Sequence, residues 1–183
     1  MKEFLDILSK EGKPTGEKIL KSEVHKIGYY HNTSQIWFYT DNGEILLQQR
    51  AATKIVCPLL WDVSVAGHVD AGETVIQAAI RETKEEIGLK IRKEDLYKLG
   101  VFECFQNYSN GIIDNEFHHT FISELKVDVA QLKPQKSEVE ALKLISIHDF
   151  YEKLEQSDSN NHFISSNRLY YETVIEAVLQ KTT

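Results

Sequence analysis

Between Gly67 and Leu89 runs GHVDAGETVIQAAIRETKEEIGL, and no other stretch limits the fold of this chain so tightly. Gly67 and Gly72 bracket a short loop, and helix-compatible residues then run from Thr74 to Ile87, where Gly88 stops them. On a helix advancing about 100° per residue, Ile76, Ile80, Thr83 and Ile87 form a core-facing stripe. Glu82, Glu85 and Glu86 fall on a different arc, beside Val75, Ala78 and Ala79. Glu82 and Glu86 lie one turn apart, and such a like-charge pair costs a few tenths of a kcal/mol in an isolated helix. A divalent cation converts that penalty into affinity, and clustered hard oxygen ligands suit Mg²⁺ or Mn²⁺. The plainer reading is a solvated acidic face relieved by Lys84. The glycines at both ends, and Arg81 directly before the first clustered glutamate, argue against it.

Around this helix the chain reads as short strands. LDILSKEGKPTGEKIL predicts an N-terminal hairpin within residues 1–30, and SQIWFYTDNGEILLQQR predicts a second hairpin turning at Asp41-Asn42-Gly43. WDVSVAGHV reads as a strand entering the glycine turn. LYKLGVFECFQNY and NEFHHTFISEL read as a strand pair across Ser109-Asn110-Gly111, EALKLISI as a last strand, and HDFYEKLEQ and NRLYYETVIEAVLQ as closing helices. The expected architecture is α+β, an α/β/α sandwich with a central mixed sheet, in one domain over residues 1–183.

The stretch 67–89 resembles the Nudix box. That signature runs Gly, five residues, Glu, seven residues, Arg-Glu, an aliphatic residue, any residue, Glu-Glu, any residue, Gly, and an aliphatic residue. Gly67, Glu73, Arg81, Glu82, Glu85, Glu86, Gly88 and Leu89 all match, while Thr83 departs at an aliphatic position, which predicts a packing change only. The resemblance implies the Nudix fold with its loop-helix-loop catalytic motif, and metal held by Glu82, Glu85 and Glu86, with Gly67 letting the backbone pass close by. Arg81 would orient the carboxylates by pairing with Glu73.

The surroundings are similar to a narrower group, the isopentenyl-diphosphate isomerase-like branch of that superfamily. KSEVHKIGYYH, LLQQRAATK, LLWDVSVAGH and DNEFHHTF match its pattern in order and rough spacing, across most of residues 5–150. Carried over by position, a second metal set would be His25, His31, His68, Asp114 and Glu116. Lys21, Arg50 and Lys54 match basic positions that hold the diphosphate, with His68 a further substrate contact. The isomerases use a Cys immediately before the Gly-His, and here that position is Ala66, which has no proton to give. With the box glutamates all present, the two departures from true isomerases point to hydrolysis.

The resemblance therefore implies hydrolysis of a nucleoside diphosphate linked to another moiety, or of a related organic diphosphate, with Mg²⁺ or Mn²⁺ as cofactor. Glu82, Glu86 or Glu116 would serve as the base. An isomerase, or a silent nucleotide-sensing module, are the competing readings. Trp61 reads as core before it reads as a wall for the substrate. Specificity is expected in QNYSNGIID and QSDSNNHFISSNR.

Composition narrows the partners. A formal charge of −7 argues against a nucleic-acid surface. The acidic N-terminus and the absence of an apolar run of roughly 18 residues argue against a signal peptide or membrane span, so a cytoplasmic protein is expected. Cys57 and Cys104 are expected as reduced thiols. The N-terminal strands could exchange between subunits of a homodimer.

Overall fold

The computed structural model describes residues 2–160, 163–164 and 168–182. An N-terminal antiparallel hairpin, β1 (Phe4–Leu8) and β2 (Pro14–Leu20), leads into a short helix, α1 (Lys21–Ile27). The central sheet follows: β3 (His31–Tyr39), β4 (Glu44–Arg50), β5 (Trp61–Asp62), β6 (Val65–His68), β7 (Tyr97–Asn107), β8 (Ile113–Glu124) and β9 (Val139–Ser146). Helix α2 (Val75–Ile87) lies between β6 and β7, and α3 (Ile147–Asn160) and α4 (Arg168–Thr182) close the chain. The seven-stranded sheet runs β5-β4-β3-β8-β7, with β6 also pairing β3 and β9 pairing β4. It is mixed, because β3 and β8 are parallel while the other pairs are antiparallel.

Strand β3 explains the layers. Its apolar run is continuous because both faces are covered. Ile36 and Phe38 join Leu46, Val65, Ala79, Ile87 and Phe121 in the core between the sheet and α2. Trp37 and Tyr39 join Ile45, Ile122, Phe150, Tyr170, Tyr171 and Val174 in the core between the sheet and α3–α4. The molecule is α+β, with a central mixed sheet between helices.

Two expectations change. The β3–β4 hairpin turns where expected, with Gly43 at φ 75°, but β3 and β4 pair only beside the turn, at Tyr39 and Ile45. Further along, β6 takes the edge of β3, and β4 swings across to β9. The core stripe of α2 is also rotated. Ile76 is exposed and Ile80 only half-buried, whereas Ala78, Ala79, Glu82, Thr83, Glu86 and Ile87 are buried. Two alanines allow close approach to β3 and β6, and the helix then rolls its carboxylate side inward. Thr83 fits the apolar layer by donating its hydroxyl to the Ala79 carbonyl at 2.7 Å, so its departure from the aliphatic pattern leaves no buried polar atom alone.

Helix α1 has no counterpart in the sequence reading. Seven residues carry too little periodicity to announce a helix, and only its Gly28 cap, at φ 79°, marks the end. Residues 161–162 and 165–167 of the expected specificity segment lie outside the described residues. Cys57 and Cys104 are free thiols. Among the described residues no helix is long and apolar enough to cross a membrane.

Candidate active site

Helix α2 starts and stops by local chemistry. Thr74 and Gln77 form a reciprocal capping box, and Gly88, at φ 71°, ends the helix with its N–H on the Lys84 carbonyl. The loop before the helix is tied to the N-terminal hairpin: Ala71 N–H donates to the Phe4 carbonyl and Gly72 N–H to the Asp6 carboxylate, both at 2.8 Å. The hairpin therefore sets the height of the loop against the sheet.

Arg81 organises the carboxylates. Its guanidinium grips Glu73 with two hydrogen bonds, at 3.0 and 2.8 Å, as the box resemblance implied. The remaining donors reach the His68 carbonyl at 2.9 Å, Glu82 at 2.7 Å and Glu85 at 3.2 Å. One planar fork thus binds the loop, strand β6 and two of the three clustered glutamates. A lysine ammonium cannot reproduce this fork. Arg81→Lys is expected to lower turnover about 100-fold and stability by about 1–3 kcal/mol, read by steady-state kinetics and thermal melts. Unchanged turnover would remove Arg81 from any role in setting the site.

Gly67 is required by space. A Cβ there would lie 2.0 Å from Cδ of Glu82. Glu86 is deeper, with one carboxylate oxygen accepting from Gln48 Nε2 at 3.3 Å and from Ala66 N–H at 3.2 Å. Burial, and then the neighbouring Glu82 charge, push the Glu86 carboxyl up to about 8. Burial also raises Glu82 despite its pairing with Arg81. Two buried carboxylates held at this cost form a site that a hard divalent cation would stabilise, so the residues fit Mg²⁺ or Mn²⁺. Gln48 Oε1 adds a buried acceptor with no hydrogen-bond partner among the described residues.

A second cluster is assembled from four elements. His25 of α1, His31 of β3, His68 of β6 and Glu116 of β8 each offer a ligand atom, all within 4.8 Å of one another. Parallel register places His31 beside Glu116. His25 and His68 face each other with Nε2 atoms 3.0 Å apart, and buried His31 Nε2 lies 3.5 Å from Glu116 without forming a hydrogen bond. Asp114 stands outside this group, 2.7 Å from His25 Nδ1, and orients that ring. Burial holds His68 well below the usual histidine range, in the neutral form a metal needs. Three imidazole nitrogens and one carboxylate suit a borderline transition metal such as Zn²⁺.

His118 stands two residues after Glu116 on β8 and so shares its strand face. It lies on the far side of Glu116, 2.9 Å from Oε2. Burial opposes its charge, but hydrogen bonds to Cys104 and Glu116 raise it to about 10. For Glu116 itself burial pushes upward, and the hydrogen bond with His118 together with the nearby His31 ring prevail and hold it well below the usual carboxylate range.

Both clusters open into one cavity of about 620 Å³, which Lys21, Arg50 and Lys54 also line. Each of these cations rests on an acid: Lys21 on Glu3 at 2.9 Å, Arg50 on Asp62 at 3.4 Å, and Lys54 on Glu138. The expected loop QNYSNGIID contributes Gln106, Tyr108, Ile112 and Asp114 to the wall. Trp61 packs against the core on the α3–α4 side under the Lys143 ammonium, 4.0 Å from its ring centre, as the core reading expected. The acid partners Glu3, Asp62 and Glu138 have no signal in the sequence, because each pairing depends on how separate elements meet, across 12 residues for Arg50–Asp62, 18 for Lys21–Glu3 and 84 for Lys54–Glu138. Gln48 follows the apolar run Ile45, Leu46, Leu47 of β4 and is itself buried.

Comparison with known proteins bears on this arrangement. The model of the NUDIX domain matches residues 30–165. The chain belongs to the NUDIX family. Nudix hydrolase 3 of Arabidopsis thaliana is 34% identical over 161 residues, 85% of this chain; the match spans only 21% of that longer protein. An uncharacterized Nudix hydrolase of Clostridium acetobutylicum is 36% identical over 151 residues, 80% of this chain and 71% of that one. Isopentenyl-diphosphate Delta-isomerase 2 of Photorhabdus laumondii is 34% identical over 122 residues, 67% of each chain. The isomerase-like branch is therefore the part of the Nudix superfamily this chain resembles. The crystal structure of DR0079 from Deinococcus radiodurans superposes with a TM-score of 0.69 over 97% of this chain and 98% of that one; at 17% identity it shows the shared Nudix fold.

Proposed function

We propose that this Nudix protein is a divalent-metal-dependent diphosphohydrolase acting on a nucleoside diphosphate linked to another moiety, or on a related organic diphosphate. The observation that carries the reading is the convergence of buried Glu82 and Glu86, Glu85 and three cations on one cavity. Mg²⁺ or Mn²⁺ held by Glu82, Glu85 and Glu86, beside the Gly67 backbone, would offset phosphate charge and acidify an attacking water. Lys21, Arg50 and Lys54 exchange their acid partners for diphosphate oxygens and fix the phosphorus for attack. Arg81 keeps Glu82 and Glu85 in place. Glu82 or Glu86 takes the water proton. The sequence also offered Glu116, but a carboxylate held low by two histidines is a weak base, and its place beside His25, His31 and His68 suits a second metal instead.

The isomerase reading draws support from that histidine cluster and from the isomerase relatives. It lacks the thiol at Ala66, which offers Glu86 only its backbone N–H. Hydrolysis keeps every group it needs. We place the activity in the cytoplasm, on free small molecules rather than nucleic acid, with strands β1 and β2 exchanged between the subunits of a homodimer.

The test is incubation with Mg²⁺ or Mn²⁺ and a panel of nucleoside diphosphates, nucleotide sugars, dinucleotides, thiamine diphosphate and isopentenyl diphosphate, with products read by mass spectrometry. Metal-dependent phosphoanhydride cleavage, lost in Glu82→Gln, is expected. Conversion of isopentenyl diphosphate to its allylic isomer without phosphate release would overturn the hydrolase.

A further inference from the structure

Strand β3 brings His31 to the histidine cluster, and the same face of the strand continues past it. Side chains alternate along a strand, so His31, Thr33, Gln35 and Trp37 share one side of β3. Thr33 and Gln35 line the cavity, and Trp37 is fully buried in the core that follows. Both polar side chains are themselves buried.

A chain of hydrogen bonds fixes what Gln35 can offer. An indole N–H can only donate. That of Trp37 donates to the Tyr170 hydroxyl oxygen at 2.7 Å. Burial pushes the Tyr170 hydroxyl well above the usual tyrosine range, so the phenol keeps its proton and donates it to Gln35 Oε1. With its oxygen engaged, Gln35 has its amide N–H₂ to present to the cavity it lines. Thr33 stands between Gln35 and His31 on the strand face, and its buried Oγ1 has no hydrogen-bond partner among the described residues. Two residues of a strand cover about 7 Å, so the two side chains extend the site as a short polar row. In register on β6, Thr33 lies beside His68 and Gln35 beside Ala66, whose N–H binds the Glu86 carboxylate. The row is thus one strand away from both clusters, where the group attached to a bound diphosphate would lie. A hydrocarbon chain against this row would leave its buried polar groups without partners, a penalty that a hydroxylated group avoids.

We propose that Gln35 and Thr33 select the substrate by the polarity of its organic part, accepting diphosphates that carry a ribose or another sugar and rejecting those that carry a prenyl chain. Trp37 and Tyr170 are positioning residues, which act by presenting the Gln35 amide. The assignment rests on the diphosphate reading above, and binding without turnover tests the two separately.

Calorimetry in Mg²⁺ compares three non-hydrolysable probes: methylenediphosphonate, α,β-methylene-ADP and the methylene analogue of isopentenyl diphosphate. The wild type is expected to bind the ADP analogue about 100-fold more tightly than the isopentenyl analogue, since a site built to hydrogen-bond a hydroxyl discriminates against a partner that lacks one. Gln35→Leu is expected to weaken the ADP analogue about tenfold, to leave methylenediphosphonate unchanged and to tighten the isopentenyl analogue. Thr33→Val should move the probes in the same directions, and Thr33→Ser should keep the wild-type order. Tyr170→Phe should reduce the preference for the ADP analogue at unchanged methylenediphosphonate affinity, a split that lost core packing would not give. An isopentenyl analogue bound as tightly as the ADP analogue by the wild type would overturn the assignment and leave the diphosphate site standing. So would a Gln35→Leu variant that changes no affinity or weakens all three alike. Absence of methylenediphosphonate binding by the wild type would remove the diphosphate reading, and the assignment with it.

Discussion

Glu86→Gln is expected to abolish metal-dependent hydrolysis and at the same time to stabilise the metal-free protein near pH 8. Burial and the Glu82 charge push the Glu86 carboxyl up to about 8, against an ordinary value of 4.5. Between those two pH values the folded protein holds a proton that the unfolded chain has released. The metal-free wild type is therefore most stable, as far as this group is concerned, below about pH 4.5. It loses up to about 1.4 kcal/mol per pH unit as pH climbs towards 8. Glutamine keeps the shape, still meets the Gln48 and Ala66 donors with its carbonyl oxygen, and carries no titrating proton. Urea or thermal unfolding in chelator from pH 5 to 9 should show a falling wild-type curve and a flatter variant curve that crosses above it. Added Mn²⁺ should rescue the wild type at pH 8 and leave the variant unmoved. Parallel curves for the two proteins would mean that Glu86 is charged without metal. Loss of activity is put at a hundredfold or more, since removing even an outer metal partner weakens a site about 10–100-fold.

Gly67→Ala is the second large effect. The added methyl would sit 2.0 Å from Cδ and 2.3 Å from Cγ of Glu82, distances no real Cβ contact tolerates. Glu82 cannot retreat freely, because Arg81 holds its carboxylate at 2.7 Å and its residue is buried. Either β6 lifts from α2 or the carboxylate leaves the site. Overpacking of this kind costs about 1–3 kcal/mol, and a displacement near 1 Å in a catalytic group costs about 100-fold in rate. Thermal melts, Mn²⁺ affinity and turnover should fall together. A variant that keeps full metal affinity and turnover would show that Glu82 lies outside the working site. Gly72→Ala is a fair comparison, since its side chain would meet open space; there the only strain is φ 84°.

Much of the site could be read from residues close in sequence. Capping at Thr74, termination at Gly88, the Arg81–Glu73 pairing and the arc shared by Glu82, Glu85 and Glu86 all involve positions within about two turns of a helix or its preceding loop. The α2 apolar stripe was misjudged at Ile76 because periodicity finds a stripe but does not say which arc meets the sheet. Two alanines on the same side as the glutamates, rather than the isoleucines, settled the roll by permitting the closer contact. Asp114 was grouped with the histidines from its position in the chain, and the fold places it one contact further out, behind His25.

The sequence by itself determined that helix 75–87 exists, where it ends, and that three carboxylates leave it together, because hydrogen bonding and the 3.6-residue period act within a few residues. Strand character was equally local, as in the continuous apolar run of β3. Only the tertiary structure decided that His25, His31, His68 and Glu116 meet, that the helix turns its acids inward, and that Lys54 rests on Glu138. Those outcomes depend on the parallel register of β3 against β8 and on β4 leaving β3 for β9. Registers of that kind are fixed by burial summed over both faces of the whole sheet, a quantity that no local stretch of sequence contains.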